Sequence, residues 1–133
     1  MKKIILLLAI IIINLNVNAQ ILAGFNKYET AEKIVCTVYN AVPAQTNSDP
    51  GHTASMFKLD LSNPYKHKII AVSRDLLKKY PIHSKVKVSG TAYDGVYVVE
   101  DKMNKRYTKR IDILINVGMK IGKWNNATIT KIK

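Results

Sequence analysis

The stretch EDKMNKRYTKRID, residues 100–112, sets Asp101 and Asp112 eleven positions apart, with Lys102, Lys105, Arg106, Lys109 and Arg110 between them. Each aspartate adjoins an apolar run, VYVV before Glu100 and ILI after Asp112. A carboxyl beside large apolar side chains loses solvation, and its pKa then rises towards that of a general acid working near neutrality. The cations act in the opposite sense, because an ammonium or guanidinium within about 4–6 Å lowers a carboxyl pKa by roughly 1–3 units. Two readings fit the stretch: an acid/base site, and a solvated hairpin closed by Asp–Arg pairs. Side-chain direction decides between them.

The other chemistry-bearing residues are less pointed. Asp49 and Asp60 fall in or near a long polar segment, Asp94 in an Asp-Gly turn, and Asp75 where an aspartate favours a helix start. Cys36 is the single cysteine, so no intramolecular disulfide can form, and its setting in IVCTVY predicts a buried strand thiol. His52, His67 and His83 show no CxxC or HxxxH companion. No metal site, cofactor or Cys–His nucleophile is expected.

The elements that must position these residues are predominantly β. Runs at Val35–Tyr39, Ile69–Ser73, Lys85–Ser89, Val96–Glu100, Arg110–Ile115 and Ala127–Lys131 alternate or are β-branched, with Gly, Pro, Asn or Asp between them. KVKVSG alternates strictly, and SGTAYDG is a turn that predicts pairing of 85–89 with 96–100. Short helices are predicted at 73–80, with Ser73 as N-cap and Pro81 as stop, and at 116–124. Six strands in so small a chain predict a mainly β fold, a closed six-stranded barrel with one or two short helices. The segment from Ala41 to Lys68 is long for a loop in a compact domain, which points to function or disorder.

At 133 residues the chain has room for one core. Lys2 and Lys3, the apolar run Ile4 to Ile13, and Val17-Asn18-Ala19 read as a secretory signal peptide over 1–19, with Gln20 first in the mature chain. The apolar run is shorter than the roughly 20 residues that span a bilayer, so no stable membrane span is expected; a retained N-terminal anchor is the alternative. Residues 20–34 then form a lead segment and 35–133 the barrel domain. The formal net charge is +12, and 19 cations against nine acids remain without Lys2 and Lys3. So basic a protein concentrates at polyanions, which for an exported, secreted or periplasmic chain means envelope polymers rather than nucleic acid. Tyr107 and Trp124 are too sparse for a base-stacking platform. The sequon Asn126-Ala127-Thr128 is given no role, and a monomer is expected.

The combination TVYNAVPAQT (37–46), HTAS (52–55), IIAVSRDLL (69–77), KVKVSG (85–90) and VVEDKMNKRYTKRIDI (98–113) resembles the bacterial three-aspartate, or 3D, domain, over roughly residues 35–131. That domain is a double-psi β-barrel found in membrane-bound lytic transglycosylase A and in stationary-phase-survival-type muralytic proteins. Rare lipoprotein A and the expansins are more distant relatives of the barrel. The resemblance implies peptidoglycan glycan strands, or other anionic wall polymers, as partner, and lytic-transglycosylase chemistry. In that chemistry an aspartic acid protonates the glycosidic oxygen and the sugar's own 6-hydroxyl closes a 1,6-anhydro ring. It implies Asp112 as acid/base and Asp101 as the second carboxylate. Tyr39, Asn40, Thr53, Ser73, Asp75, Arg106 and Arg110 are the implied substrate-binding residues. The chain departs from the pattern in three places. Ala71-Val72-Ser73 stands where the family writes AVD, with Asp75 two residues on; Lys102-Met103-Asn104 replaces a glycine-rich turn; and no second domain supplies another groove wall. The departures keep a non-catalytic, expansin-like wall-binding module as the alternative.

Overall fold

The structure, a computed structural model, describes residues 10–12, 16 and 27–133. The signal-peptide reading of 1–19, including its cleavage site, falls for the most part outside the described residues, of which 10–12 and 16 are helical. Among the described residues no helix is long and apolar enough to cross a membrane.

Six strands form the body: β1 (Glu32–Asn40), β2 (Ile69–Val72), β3 (Lys85–Ser89), β4 (Gly95–Lys102), β5 (Arg110–Ile115) and β6 (Trp124–Lys131). They close into a barrel in the order β1-β5-β2-β4-β3-β6, so that every strand is paired on both sides. The β1–β5 and β2–β4 pairs are parallel and the other four antiparallel. Each predicted strand is present, several of them longer than the apolar runs suggested. The predicted hairpin of 85–89 with 96–100 is there too, with Lys85 opposite Val98 and Lys87 opposite Val96.

The helix expectations shrink. Ser73 does stand at the N-cap position, but only Arg74–Leu76 forms a single 3-10 turn, without a side-chain cap. Pro64–His67 forms a second, and 116–123 is turn and coil, its two glycines ill suited to so short a helix.

Side-chain alternation explains the core. Val86 and Val88 of β3 point inward while Lys85 and Lys87 point out. Ile70, Val72, Tyr97, Val99, Ile111, Ile113, Ile115 and Ile129 complete the interior with Cys36, whose thiol burial pushes up to about 12. β2 differs because it is buried on both faces. Its outward residues Ile69 and Ala71 join Tyr39, Leu59, Met103 and Leu114 in a second apolar cluster outside the barrel. The 41–68 segment covers that cluster through Leu59, and Leu59 N–H is tied back to the Gly51 carbonyl at 2.8 Å.

The SGTAYDG turn depends on Gly90, whose φ is +84°. A Cβ there would lie 3.2 Å from the Asn126 carbonyl oxygen and 3.3 Å from the Ala127 Cα, both backbone atoms of β6. Gly90→Ala combines a left-handed strain with a close backbone contact. It is expected to destabilise by roughly 1–3 kcal/mol, read as a drop in Tm of at least about 5 °C in thermal denaturation.

Candidate active site

Asp101 and Asp112 do not belong to a hairpin: β2 lies between their strands. Ala71 is the residue opposite both, paired with Asp112 across the antiparallel β2–β5 ladder and with Asp101 across the parallel β2–β4 ladder. Asp112 faces outward by simple alternation, since Ile111 and Ile113 point in. Asp101 does not, because alternation from Tyr97 and Val99 would aim it inward. The β2–β4 register jumps from Ile70–Val99 to Ala71–Asp101, leaving Glu100 as an extra residue on β4. This bulge turns Asp101 onto the face that carries Ala71 and Asp112. With only a methyl group between them, both aspartates open into one groove of about 690 Å³.

Asp112 sits at the edge of the outer apolar cluster, and burial is the main cause that raises its pKa from 3.8 to about 6. A hydrogen bond from Thr37, its partner in the β1–β5 ladder, and the Arg110 charge pull the other way, and the negative charge of Asp101 adds a smaller push upward. The Thr37 hydroxyl also lies 3.5 Å from the Ile111 carbonyl oxygen. Asp112 Oδ1 is buried with no hydrogen-bond partner among the described residues, in keeping with a desolvated carboxyl.

Asp101 is held instead. The Tyr39 hydroxyl donates to its Oδ2 at 3.2 Å, and the backbone N–H groups of Ala54 and Lys102 donate to its Oδ1 at 3.1 and 2.9 Å. The Ala54 donor is delivered by a tight turn over 53–57, with Met56 in the left-handed region at φ 66°. Thr53 Oγ1 accepts the Phe57 N–H at 3.2 Å and bonds Ser55 Oγ at 2.9 Å. The bulged Glu100 latches this turn to β4: its carbonyl accepts the Ser55 N–H at 3.1 Å and its buried carboxylate accepts the Ser55 hydroxyl. The other carboxylate oxygen faces His83 Nδ1 at 3.0 Å. The HTAS element is thus a groove wall fastened to the strand that carries Asp101.

The basic turn does not close over the aspartates. The Arg106 and Arg110 guanidinium groups stand 4.8 and 4.7 Å from the centre of the Tyr107 ring, and Arg106 Nη2 donates to the Tyr107 hydroxyl at 2.7 Å. Neither makes an ion pair among the described residues. Arg106, Tyr107, Lys102 and Arg74 line the groove, giving it a cationic wall with aromatic surface.

Of the residues expected at the site, Asp101, Asp112, Tyr39, Thr53 and Arg106 line the groove together. Four others hold its frame. Ser73 is fully buried, and its Oγ accepts the Arg110 N–H at 3.1 Å. Asp75 accepts the Lys109 N–H at 2.9 Å, and this bond with one from Ser73 holds its carboxyl below the usual range despite the opposing effect of burial. Asn40 donates to the Ile115 carbonyl at 3.1 Å and exchanges bonds with Gln45, starting the covering loop. Arg110 lies against Tyr107. The sequence reading missed Ala71, Thr37, Arg74, Tyr107 and the Ala54 N–H; of these, only Ala71, the one small residue in IIAV, left a readable signal. Among the described residues no group of three His, Cys, Asp or Glu side chains could hold a metal ion.

Compared with known family models, curated proteins and solved structures, the chain matches none.

A carboxyl whose pKa is raised by folding stabilises the fold while protonated and costs stability once ionised. The cost of Asp112 therefore appears as pH rises from about 4 through about 6 and is complete near pH 8, on the order of 2–3 kcal/mol. Asp112→Asn removes that dependence. Its Tm relative to wild type is expected to climb by several degrees between pH 4 and pH 8; a difference that stays flat across this range would contradict a desolvated Asp112.

Proposed function

We propose that this protein is an exported, peptidoglycan-active barrel of the three-aspartate, double-psi type, cleaving glycan strands as a lytic transglycosylase does. The observation that carries the reading is the pairing, across Ala71 in one open groove, of a desolvated Asp112 with a pKa near 6 and a firmly held Asp101. The closed six-strand barrel, with its parallel β1–β5 and β2–β4 pairs, is compatible with the double-psi fold.

In this mechanism protonated Asp112 gives its proton to the oxygen between the muramyl anomeric carbon and the next sugar. The anomeric C–O bond breaks, and the departing sugar carries the proton as its new hydroxyl. The 6-hydroxyl of the muramyl residue attacks the anomeric carbon and returns its proton to the Asp112 carboxylate. One carboxyl thus serves as acid and then base, since the nucleophile belongs to the substrate; ordinary glycosidases use two carboxyls. The Asp101 carboxylate, held at the site's edge by Tyr39 and two backbone N–H groups, raises the pKa of Asp112 and stabilises positive charge developing at the anomeric carbon. Tyr107 offers aromatic surface to sugars, and Arg74, Lys102 and Arg106 offer charge to carboxylate-bearing substituents.

A wall-binding module without turnover is the second reading. Its support is that Ser73 and Asp75, at and near the family's third aspartate, are engaged with the backbone at the start of β5 rather than lining the groove.

Digestion of purified sacculi, followed by mass spectrometry, separates the two. Wild type is expected to release 1,6-anhydromuramyl products at a rate that falls above about pH 6. Asp112→Asn is expected to lose on the order of 10²–10⁴-fold of that rate while still pelleting with sacculi. Pelleting by a folded wild type that yields no anhydro product would leave only the binding module.

A further inference from the structure

The loop joining β5 to β6, residues 116–123 (NVGMKIGK), is firmly built yet presents apolar side chains to solvent. Val117 is 75% and Ile121 77% exposed, more than any other large hydrophobic residue among those described. Between them Met119 turns inward against the barrel core, and its N–H donates to the Asn116 carbonyl at 3.1 Å. Asn116 is itself anchored, accepting the Tyr65 N–H at 2.8 Å and donating to Asn63 at 2.9 Å. The Tyr93 hydroxyl donates to the Lys120 carbonyl at 2.7 Å. Gly122 packs so closely on the Trp124 ring that a Cβ would lie 2.5 Å from it. The exposure of Val117 and Ile121 is therefore imposed by the fold.

Within the loop and the strand that follows it, the charge has one sign. Lys120 and Lys123 are exposed beside the two aliphatic residues, and no aspartate or glutamate occurs from residue 113 to 133. We propose that this loop is a docking edge for an anionic lipid bilayer. Val117 and Ile121 enter the headgroup–acyl boundary while Lys120 and Lys123 meet lipid phosphates. A second copy of the chain would bring lysines against lysines, and a soluble polyanion would have no use for the aliphatic pair. This inference does not depend on whether the groove is catalytic.

The test is co-sedimentation with phosphatidylglycerol–phosphatidylcholine vesicles and with pure phosphatidylcholine vesicles. It uses the chain from Gln20, which removes the apolar run Ile4–Ile13; the barrel closes on its own core within residues 32–131. Wild type is expected to partition onto the anionic vesicles at least about tenfold better than Val117→Ser/Ile121→Ser, and better than onto neutral ones. Lys120→Gln/Lys123→Gln is expected to flatten the salt dependence. Both pairs are exposed, so unchanged circular dichroism and Tm are expected and check the fold. Equal partitioning of wild type and the Val117/Ile121 variant would reduce the effect to bulk charge and overturn the proposal. So would absence of wild-type binding, or sedimentation as a dimer that the same variant abolishes.

Discussion

The bulge at Glu100 is the constraint on which the site depends. Without the extra residue, β4 would continue its alternation and send Asp101 into the barrel among valines and isoleucines. An ionised carboxylate there would lack partners and cost several kcal/mol. With it, Asp101 and Asp112 share a face across the smallest side chain of β2. The bulge creates a problem of its own, a buried Glu100 carboxylate, and the turn over 53–57 meets it with the Ser55 hydroxyl while sending the Ala54 N–H to Asp101. One irregularity thus orients a carboxylate, anchors a loop and supplies a hydrogen-bond donor.

Whether the cations of the 102–110 turn quench Asp112 is decided by distance and solvation together. Arg110 does lower its pKa, but burial against the outer apolar cluster is the larger effect. The clamp of Arg106 and Arg110 on Tyr107 explains how five cations fit between two aspartates without closing ion pairs on them. Part of their charge rests on a ring face, and the remainder faces solvent or the groove.

Much of the barrel was legible in the sequence, because β-branched alternation and turn residues are local signals. All six strands and the 85–89/96–100 pairing follow from them. What alternation could not reveal is pairing at a distance. EDKMNKRYTKRID looks like a hairpin only because its two strands are near in sequence, while β2, some thirty residues earlier, separates them. The helix expected at 116–124 failed for a related reason: its apolar residues alternate inward and outward around Met119 instead of forming one helical face. At the site, residue type and setting singled out Asp101 and Asp112 and the resemblance added Tyr39, but a backbone donor such as the Ala54 N–H has no sequence signature. Ser73 and Asp75 carry the right chemistry, yet the β5 backbone already uses it.

The long 41–68 segment can now be given a physical reason. A six-stranded barrel of this size fills its interior with side chains, so a site cannot be inside it. It must be built on the outer surface, where water would keep a carboxyl at its ordinary pKa. Tyr39, Leu59, Ile69, Ala71, Met103 and Leu114 form a second dry patch there, and Leu59 comes from the covering segment. Asp112 lies at the margin of that patch, with one oxygen shut away from partners and the groove open beside it. The loop's polar composition suits its outer face, and its single inward leucine helps create the low-dielectric border that turns an ordinary aspartate into an acid titrating near pH 6.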